Sequence, residues 1–163
     1  MLDWLEAEPN DVEARLALAA FQLGTGEWAA AGDNYRRILE QSADSVVALN
    51  NLAWLYGQSN DERALEVASR AYRLAPARPE IIDTYGWLLL GSGRDVRLAA
   101  RLLAQAAWLA PGNADIQFHF AAALAATERP GEARSLLEDL LRSRTSFDSR
   151  SDAEALLAKL SEG

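Results

Sequence analysis

A period of about 34 residues runs through most of the chain and limits what it can fold into. It is seen in a recurring small alanine, in a bulky residue followed by a small one, and in a residue that closes each unit. The alanines are Ala31, Ala64, Ala99 and Ala133. The bulky–small pairs are Leu18-Ala19, Leu52-Ala53, Tyr85-Gly86 and Phe120-Ala121. The closing residues are Pro9, Ala43, Pro76 and Pro111. Such a period predicts stacked copies of one supersecondary unit, because each copy buries its apolar face only against its neighbours.

Each unit is expected to be a pair of helices. A small residue lets two helices approach closely, and a proline stops a helix because its ring and missing N–H cannot continue the hydrogen-bond ladder. The predicted first helices cover residues 11–24, 45–58, 79–91 and 113–127. The predicted second helices cover residues 27–41, 61–74, 95–109 and 130–143. No strand pattern is evident, so the fold class is predicted to be all-α.

The period divides the chain into four repeats with a segment at each end. The predicted repeats are residues 10–43, 44–77, 78–112 and 113–143. Residues 1–9 read as the tail of a truncated upstream repeat, or else as a short N-terminal cap. Residues 144–163 are predicted to form a linker and a capping helix, because an apolar face forms at Ala153, Leu156, Leu157 and Leu160.

Composition excludes several classes of function. The net charge is −8, with 24 acidic and 16 basic residues, which argues against nucleic-acid binding, since basic residues must neutralise phosphates. There is no cysteine and a single histidine, His119, with no nucleophile beside it in sequence. No apolar run approaches the length of a membrane span. We therefore predict no catalytic residue, no metal, no cofactor and no direct membrane insertion.

Over about residues 9–141 the chain resembles the tetratricopeptide-repeat (TPR) family. Leu52-Ala53 with Tyr56, and Ala31 with Tyr35, fit the family pattern well. The resemblance implies a right-handed superhelical solenoid of antiparallel helix pairs, with about four repeats and a capping helix. The pattern departs from the family at the slot where the family has tryptophan. The residues in that slot are Arg15, Leu49, Ile82 and Gln117.

The runs 46–56 (VVALNNLAWLY), 63–66 (RALE), 83–88 (DTYGWL) and 153–157 (AEALL) carry a narrower resemblance. They are similar to the C-terminal repeats of TPR-repeat lipoproteins from bacterial PEP-CTERM/exosortase systems, which accompany exopolysaccharide production. The resemblance implies upstream repeats in the same parent chain. It also implies a periplasmic or outer-envelope location, with membrane anchoring through a missing N-terminus; a cytoplasmic location is the alternative. The lipid-anchor cysteine of that family has no counterpart here.

The concave face of such a solenoid is lined by the first helices, so residues on one stripe of each first helix are candidates for partner binding. The candidates are Leu16, Asn50, Asn51, Trp54, Asp83, Trp87, Leu90 and Phe118. The stripe carries large aromatic rings and no cation, which excludes the carboxylate clamp of TPR co-chaperones. For Trp54 and Trp87, packing between helices is an equal alternative. Trp28 is expected to be structural, and Trp108 to lie either on the surface or under the following turn.

Three functions are compatible with this pattern. The leading hypothesis is a protein-interaction scaffold that binds a protein or peptide segment in an aromatic-lined groove, within envelope, exopolysaccharide or protein-sorting machinery. The second is direct binding of a polysaccharide, because tryptophan rings stack on sugars and Asn50, Asn51 and Asp83 can bond hydroxyls. The third is a purely structural segment of a longer solenoid.

Overall fold

The computed structural model describes residues 5, 7, 8, 10–143 and 146–162. In these residues the chain forms nine α-helices and no β-strand, so the predicted all-α fold is confirmed. The helices are α1 Val12–Gly24, α2 Trp28–Gln41, α3 Val46–Gln58, α4 Ala64–Leu74, α5 Pro79–Ser92, α6 Val96–Leu109, α7 Ala114–Ala126, α8 Pro130–Ser143 and α9 Arg150–Ser161. Every helix end lies within three residues of its predicted position.

The helices group into two compact units, Met1–Pro76 and Ala77–Gly163. In unit 1, α1 packs on α2 and α3 packs on α4, while α2 also contacts α3. In unit 2, α5 pairs with α6 and α7 pairs with α8. Helix α7 also contacts α6 and α5. Because the members of each pair are joined by short turns, they are antiparallel helix hairpins.

Several helices begin at short polar residues whose side chains accept hydrogen bonds from backbone amides, and α5 ends at a glycine. Three side chains act as N-caps, accepting a hydrogen bond from the amide three residues later. The capping pairs are Asp11 with Ala14 at 2.9 Å, Asp95 with Leu98 at 2.8 Å, and Asn113 with Ile116 at 3.2 Å. At the other end of α5, Gly93 has φ of 65°, a left-handed conformation that glycine adopts without strain.

The small residues of the period lie at the helix contacts, as predicted. The alanines of the second helices and the small members of the first-helix pairs are all buried. In α5 the small member is Gly86. A Cβ atom built on it would lie only 2.9 Å from Cγ of Leu103 on α6. The close approach of α5 and α6 therefore requires glycine at this position.

The slot that holds tryptophan in TPR proteins is filled here by aliphatic or polar side chains, three of them buried and Gln117 partly buried. Leu49 and Ile82 fill it with aliphatic side chains. Arg15 is also buried, and its Nη1 donates to Oδ1 of Asn34 on α2 at 2.9 Å. Gln117 donates from Nε2 to the backbone oxygen of Ala107 at 2.9 Å. The polar substitutes thus connect one helix to its neighbour through hydrogen bonds.

The C-terminal helix covers the last helix pair, as the apolar face of residues 153–160 predicted. It packs on α8 and also contacts α7. Ala153 is fully buried in one cluster with Leu137 and Leu140, and the three leucines of α9 pack against that cluster. Residues 144–145 of the predicted linker lie outside the described residues. So does most of the predicted N-terminal segment 1–9, of which Leu5, Ala7 and Glu8 are described.

We expect Gly86→Ala to lower the stability of the protein by about 1–3 kcal/mol, because the added methyl group overpacks the α5–α6 contact at Leu103. Thermal and urea unfolding followed by circular dichroism measure this. Gly91→Ala, in the same helix, is the matched control because its Cβ would meet nothing within 4 Å. That control should be neutral or stabilising by up to about 1 kcal/mol, since alanine favours the helix. Equal effects of the two substitutions would contradict the assigned contact.

Candidate partner-binding faces

The candidate residues of unit 1 lie on corresponding stripes of α1 and α3. On α3 the stripe carries Val47, Asn50 and Trp54 at successive turns, and on α1 it carries Leu16. Val47 is exposed, and the other three side chains are partly buried. The face therefore combines apolar surface with one amide, on helices whose opposite sides are anchored in the core.

A second tryptophan orients Trp54. The ring of Trp28, at the start of α2, lies 5.6 Å from the ring of Trp54 between centroids, with an interplanar angle of 84°. This edge-to-face arrangement is a favourable geometry for two aromatic rings. Trp28 was expected to be purely structural, but 47% of its surface is exposed. The pair thus packs together and also presents aromatic surface to solvent.

The two neighbouring asparagines of α3 differ in their surroundings. Asn51 donates from Nδ2 to the hydroxyl oxygen of Tyr35 at 2.9 Å, which ties α3 to α2. Burial raises the pKa of Tyr35 above its ordinary value, and the hydrogen bond from Asn51 partly offsets that rise. Oδ1 of Asn50 is buried and has no hydrogen-bond partner among the described residues. Asn51 therefore has a structural contact, whereas Asn50 retains an unmet acceptor.

Unit 1 also contains a cleft of about 510 Å³ beside this aromatic pair. Its walls come from α2, from the second half of α3 and from the turn that follows α3. The lining includes Trp28, Gly32, Leu55 and Tyr56. In the turn, Asp61 accepts hydrogen bonds from the backbone and the guanidinium of Arg63. These bonds lower the pKa of Asp61 to about 2.

The candidate face of unit 2 has a histidine at its centre. Nδ1 of His119 lies 2.9 Å from both carboxylate oxygens of Asp83. Because a carboxylate only accepts hydrogen bonds, Nδ1 carries the proton that is donated. The imidazole ring also stacks on Trp87, with 4.1 Å between centroids and an interplanar angle of 20°. Asp83 is buried, so its carboxylate is engaged inside the unit rather than displayed at the surface.

Phe118 does not take the surface position expected for it. Its ring is 4% exposed and belongs to the buried cluster with Leu137, Leu140 and Ala153. Helix α9 contributes Ala153 to this cluster, and its leucines pack against it together with residues of α5, α7 and α8. Leu90, one turn beyond Trp87 on α5, is partly buried. Trp87 and Leu90 are therefore the candidate residues of unit 2 that reach the surface.

Comparison with known proteins identifies this architecture. No family model matches the chain. A TPR protein of Thermus thermophilus, TTC0263, superposes with a TM-score of 0.74 at 22% identity, over 94% of this chain and 85% of that one. YrrB, described as a TPR protein with an unusual peptide-binding site, gives a TM-score of 0.72 at 18% identity, over 98% of this chain and 80% of that one.

The chain has the TPR fold.

A curated relative extends the comparison to sequence. Protein adenylyltransferase Fic of Drosophila yakuba is 30% identical over 110 residues. The match covers 68% of this chain but 20% of that protein, so the TPR chain spans about one fifth of the relative's length.

The first helices of this TPR chain lack surface cations. Among the residues of α1, α3, α5 and α7, Arg15 is the sole lysine or arginine, and it is buried against α2. The acidic residues of the same helices are Glu13, Glu80, Asp83 and Asp115. The faces are therefore apolar to acidic, and they have no group with which to hold a carboxylate by charge.

The described residues offer no cluster typical of metal binding. In that part of the chain no group of three or more histidine, aspartate or glutamate side chains is placed to hold a metal ion. No helix among the residues searched is long and apolar enough to cross a membrane. The absence of catalytic activity and of a cofactor stays a prediction.

Sequence reasoning missed two features of these faces. The first is the ring stack of His119 on Trp87, two residues that come from different repeats. The second is the cleft next to Trp28. Trp108, whose position had been left open, is 79% exposed and therefore lies on the surface. A histidine and an aspartate close to one repeat apart, in adjacent positions of the unit, were the available signal for the first feature.

We expect His119→Phe to lower stability by about 1–3 kcal/mol, because it keeps a ring against Trp87 but leaves the buried carboxylate of Asp83 without its donor. Urea unfolding measures the loss. Adding Asp83→Asn to the same chain should recover part of it, because the stranded charge is removed. If the effects of the two substitutions are simply additive, the pair is not coupled as the geometry indicates.

Proposed function

We propose that this chain is a protein-interaction module that holds a partner segment against the faces of its first helices. The observation that carries the proposal is the ring of Trp54, which is partly exposed on α3 and oriented by edge contact with Trp28. Large aromatic side chains that are fixed before binding are typical anchors of protein interfaces, because little conformational entropy is lost when they are covered.

The surroundings of Trp54 favour a partner segment with apolar side chains and no excess of acidic residues. Leu16 and Val47 add aliphatic surface in the same unit. Asn50 adds an amide whose oxygen has no hydrogen-bond partner among the described residues. In unit 2, Trp87 and Leu90 offer the equivalent anchors. Phe118 is not included, because its ring is covered by the core.

The comparisons with known structures support a protein-interaction function at the level of fold. YrrB has the same fold over almost all of this chain and is described as having a peptide-binding site. Its sequence identity of 18% is too low to transfer that site residue by residue. Support for particular residues therefore rests on the geometry of the faces.

We also propose a setting for this module, which is the bacterial envelope, in exopolysaccharide or protein-sorting machinery. The support is the resemblance of residues 49–54 and 83–87 to TPR-repeat lipoproteins of exosortase systems. Immunodetection of the full gene product in fractionated source cells tests it. Recovery in the periplasmic or outer-membrane fraction is the expected result, and recovery in the cytosol would contradict the setting while leaving the binding proposal unaffected.

We expect Trp54→Ala to weaken peptide binding by about 2 kcal/mol or more, which is about 30-fold in Kd. The peptides would be selected from a random display library on the wild-type protein and then measured one by one by calorimetry. Binding should depend little on salt, because no surface cation lines the first helices and few charges can pair. Circular dichroism should show unchanged helix content.

Trp108→Ala is the matched control, because Trp108 is a highly exposed tryptophan on a second helix. It should leave peptide affinity unchanged. If Trp54→Ala costs stability but no separate affinity, the ring serves only the fold and the proposed face is wrong. A glycan array that gives binding abolished by Trp54→Ala, with no peptide selected, would favour the carbohydrate alternative.

A further inference from the structure

We propose that the cleft between α2 and α3 is a second binding site, which takes an aromatic side chain of an uncharged partner segment. It is separate from the first-helix face but adjoins it, since Trp28 lines the cleft and touches Trp54. The inference rests on the proposed function in that the occupant belongs to a protein segment. A segment that covers Trp54 can continue over Trp28 into the cleft.

Gly32 is the first argument for this site. It lies in the interior of α2 and is buried, a position where glycine lowers helix stability relative to alanine. Gly86 of α5 is explained by packing, because its Cβ would collide with Leu103 at 2.9 Å. The Cβ of an alanine at position 32 would meet Arg36 at 3.5 Å and Leu55 at 3.7 Å, which are ordinary contacts. Packing therefore does not require glycine here, and what its missing side chain leaves is space in the cleft.

The walls of the cleft suit a flat ring. Trp28 contributes a half-exposed indole. Tyr56 also lines the cleft, and the guanidinium carbon of Arg63 lies 4.3 Å from the centroid of its ring. Leu52 and Leu55 complete the apolar part of the lining. Offset or edge-to-face contact with such walls is the favoured geometry for an aromatic side chain.

The charges at the rim favour an occupant without net charge. Two ion pairs border the cleft, Asp33 with Arg36 on α2 and Asp61 with Arg63 on the turn after α3. Each acid is matched by a base, so the rim carries no net charge. A neutral ring with its backbone amides leaves both pairs intact, whereas a lone carboxylate or ammonium would compete with one partner of a pair. The chemistry of the cleft therefore matches an internal phenylalanine, tyrosine or tryptophan residue of a chain.

The test uses N-acetyl-L-tryptophanamide, a neutral mimic of an internal tryptophan, titrated into the ¹⁵N-labelled protein. The expected result is a set of saturable NMR shift changes at Trp28, Gly32 and Leu55. Gly32→Leu, which fills the cleft, should raise the Kd of the fragment at least about tenfold, equivalent to about 1.4 kcal/mol. N-acetylglycinamide, which has no side chain, should give no such shifts.

Gly24→Leu is the matched control, because it makes the same change in the same unit where the Cβ would meet nothing within 4 Å. It should leave fragment binding unchanged. If Gly32→Leu proves unstable by circular dichroism, Trp28→Ala removes a wall instead and should raise the Kd in the same way. Shifts that are absent, that lie elsewhere, or that survive both substitutions would overturn the inference. If selected peptides still require Trp54, the proposed function stands although the cleft inference fails. If the fragment binds in the cleft but no peptide that requires Trp54 is selected, the cleft inference stands and the proposed function fails.

Discussion

The close approach of two helices at small residues is the constraint on which each unit depends. In α5 the approach is so close that a single methyl group on Gly86 would meet Leu103 at 2.9 Å. In the other first helices, Ala19, Ala53 and Ala121 are fully buried. Because these contacts fix how each first helix is rotated, they also fix which stripe faces outward. Trp54 and Trp87 are presented by that rotation, one residue beyond the small residue of the pair.

Three hydrogen bonds between polar side chains connect neighbouring helices inside the units. Arg15 donates to Asn34, Asn51 donates to Tyr35, and His119 donates to Asp83. Each of these bonds joins two helices and helps to fix their relative orientation. Hydrophobic packing alone does not do this, because the hydrophobic effect is non-directional. The same bonds withdraw a cation, an amide and a carboxylate from the surface. An apolar partner is favoured because the charged groups of these helices are largely occupied.

The aromatic rings of the candidate faces occur in pairs, and the pairing limits the motion of each ring. Trp54 is fixed by Trp28, and Trp87 is fixed by His119. A ring that already has a neighbour loses little motion when a ligand covers its remaining surface. In unit 1 the pair also connects the first-helix face to the cleft at Gly32. Two different kinds of contact, a face and a pocket, thus lie close together on one helix hairpin and its neighbour.

The sequence by itself determined the helices, the register of the small residues and the apolar face of α9. These follow from periodicity, which is a local property that each segment carries whatever its neighbours are. Only the tertiary structure decided the surroundings of each aromatic ring and polar group. Phe118 shares its stripe position with Asn50 and Asp83, but its ring lies in a buried cluster to which α9 contributes Ala153. His119 contacts Asp83 from a helix of the next repeat. The cleft lies where Gly32 of α2 faces Leu55 of α3. Burial and pairing depend on residues distant in sequence, and a repeat pattern specifies positions without specifying what lies opposite them.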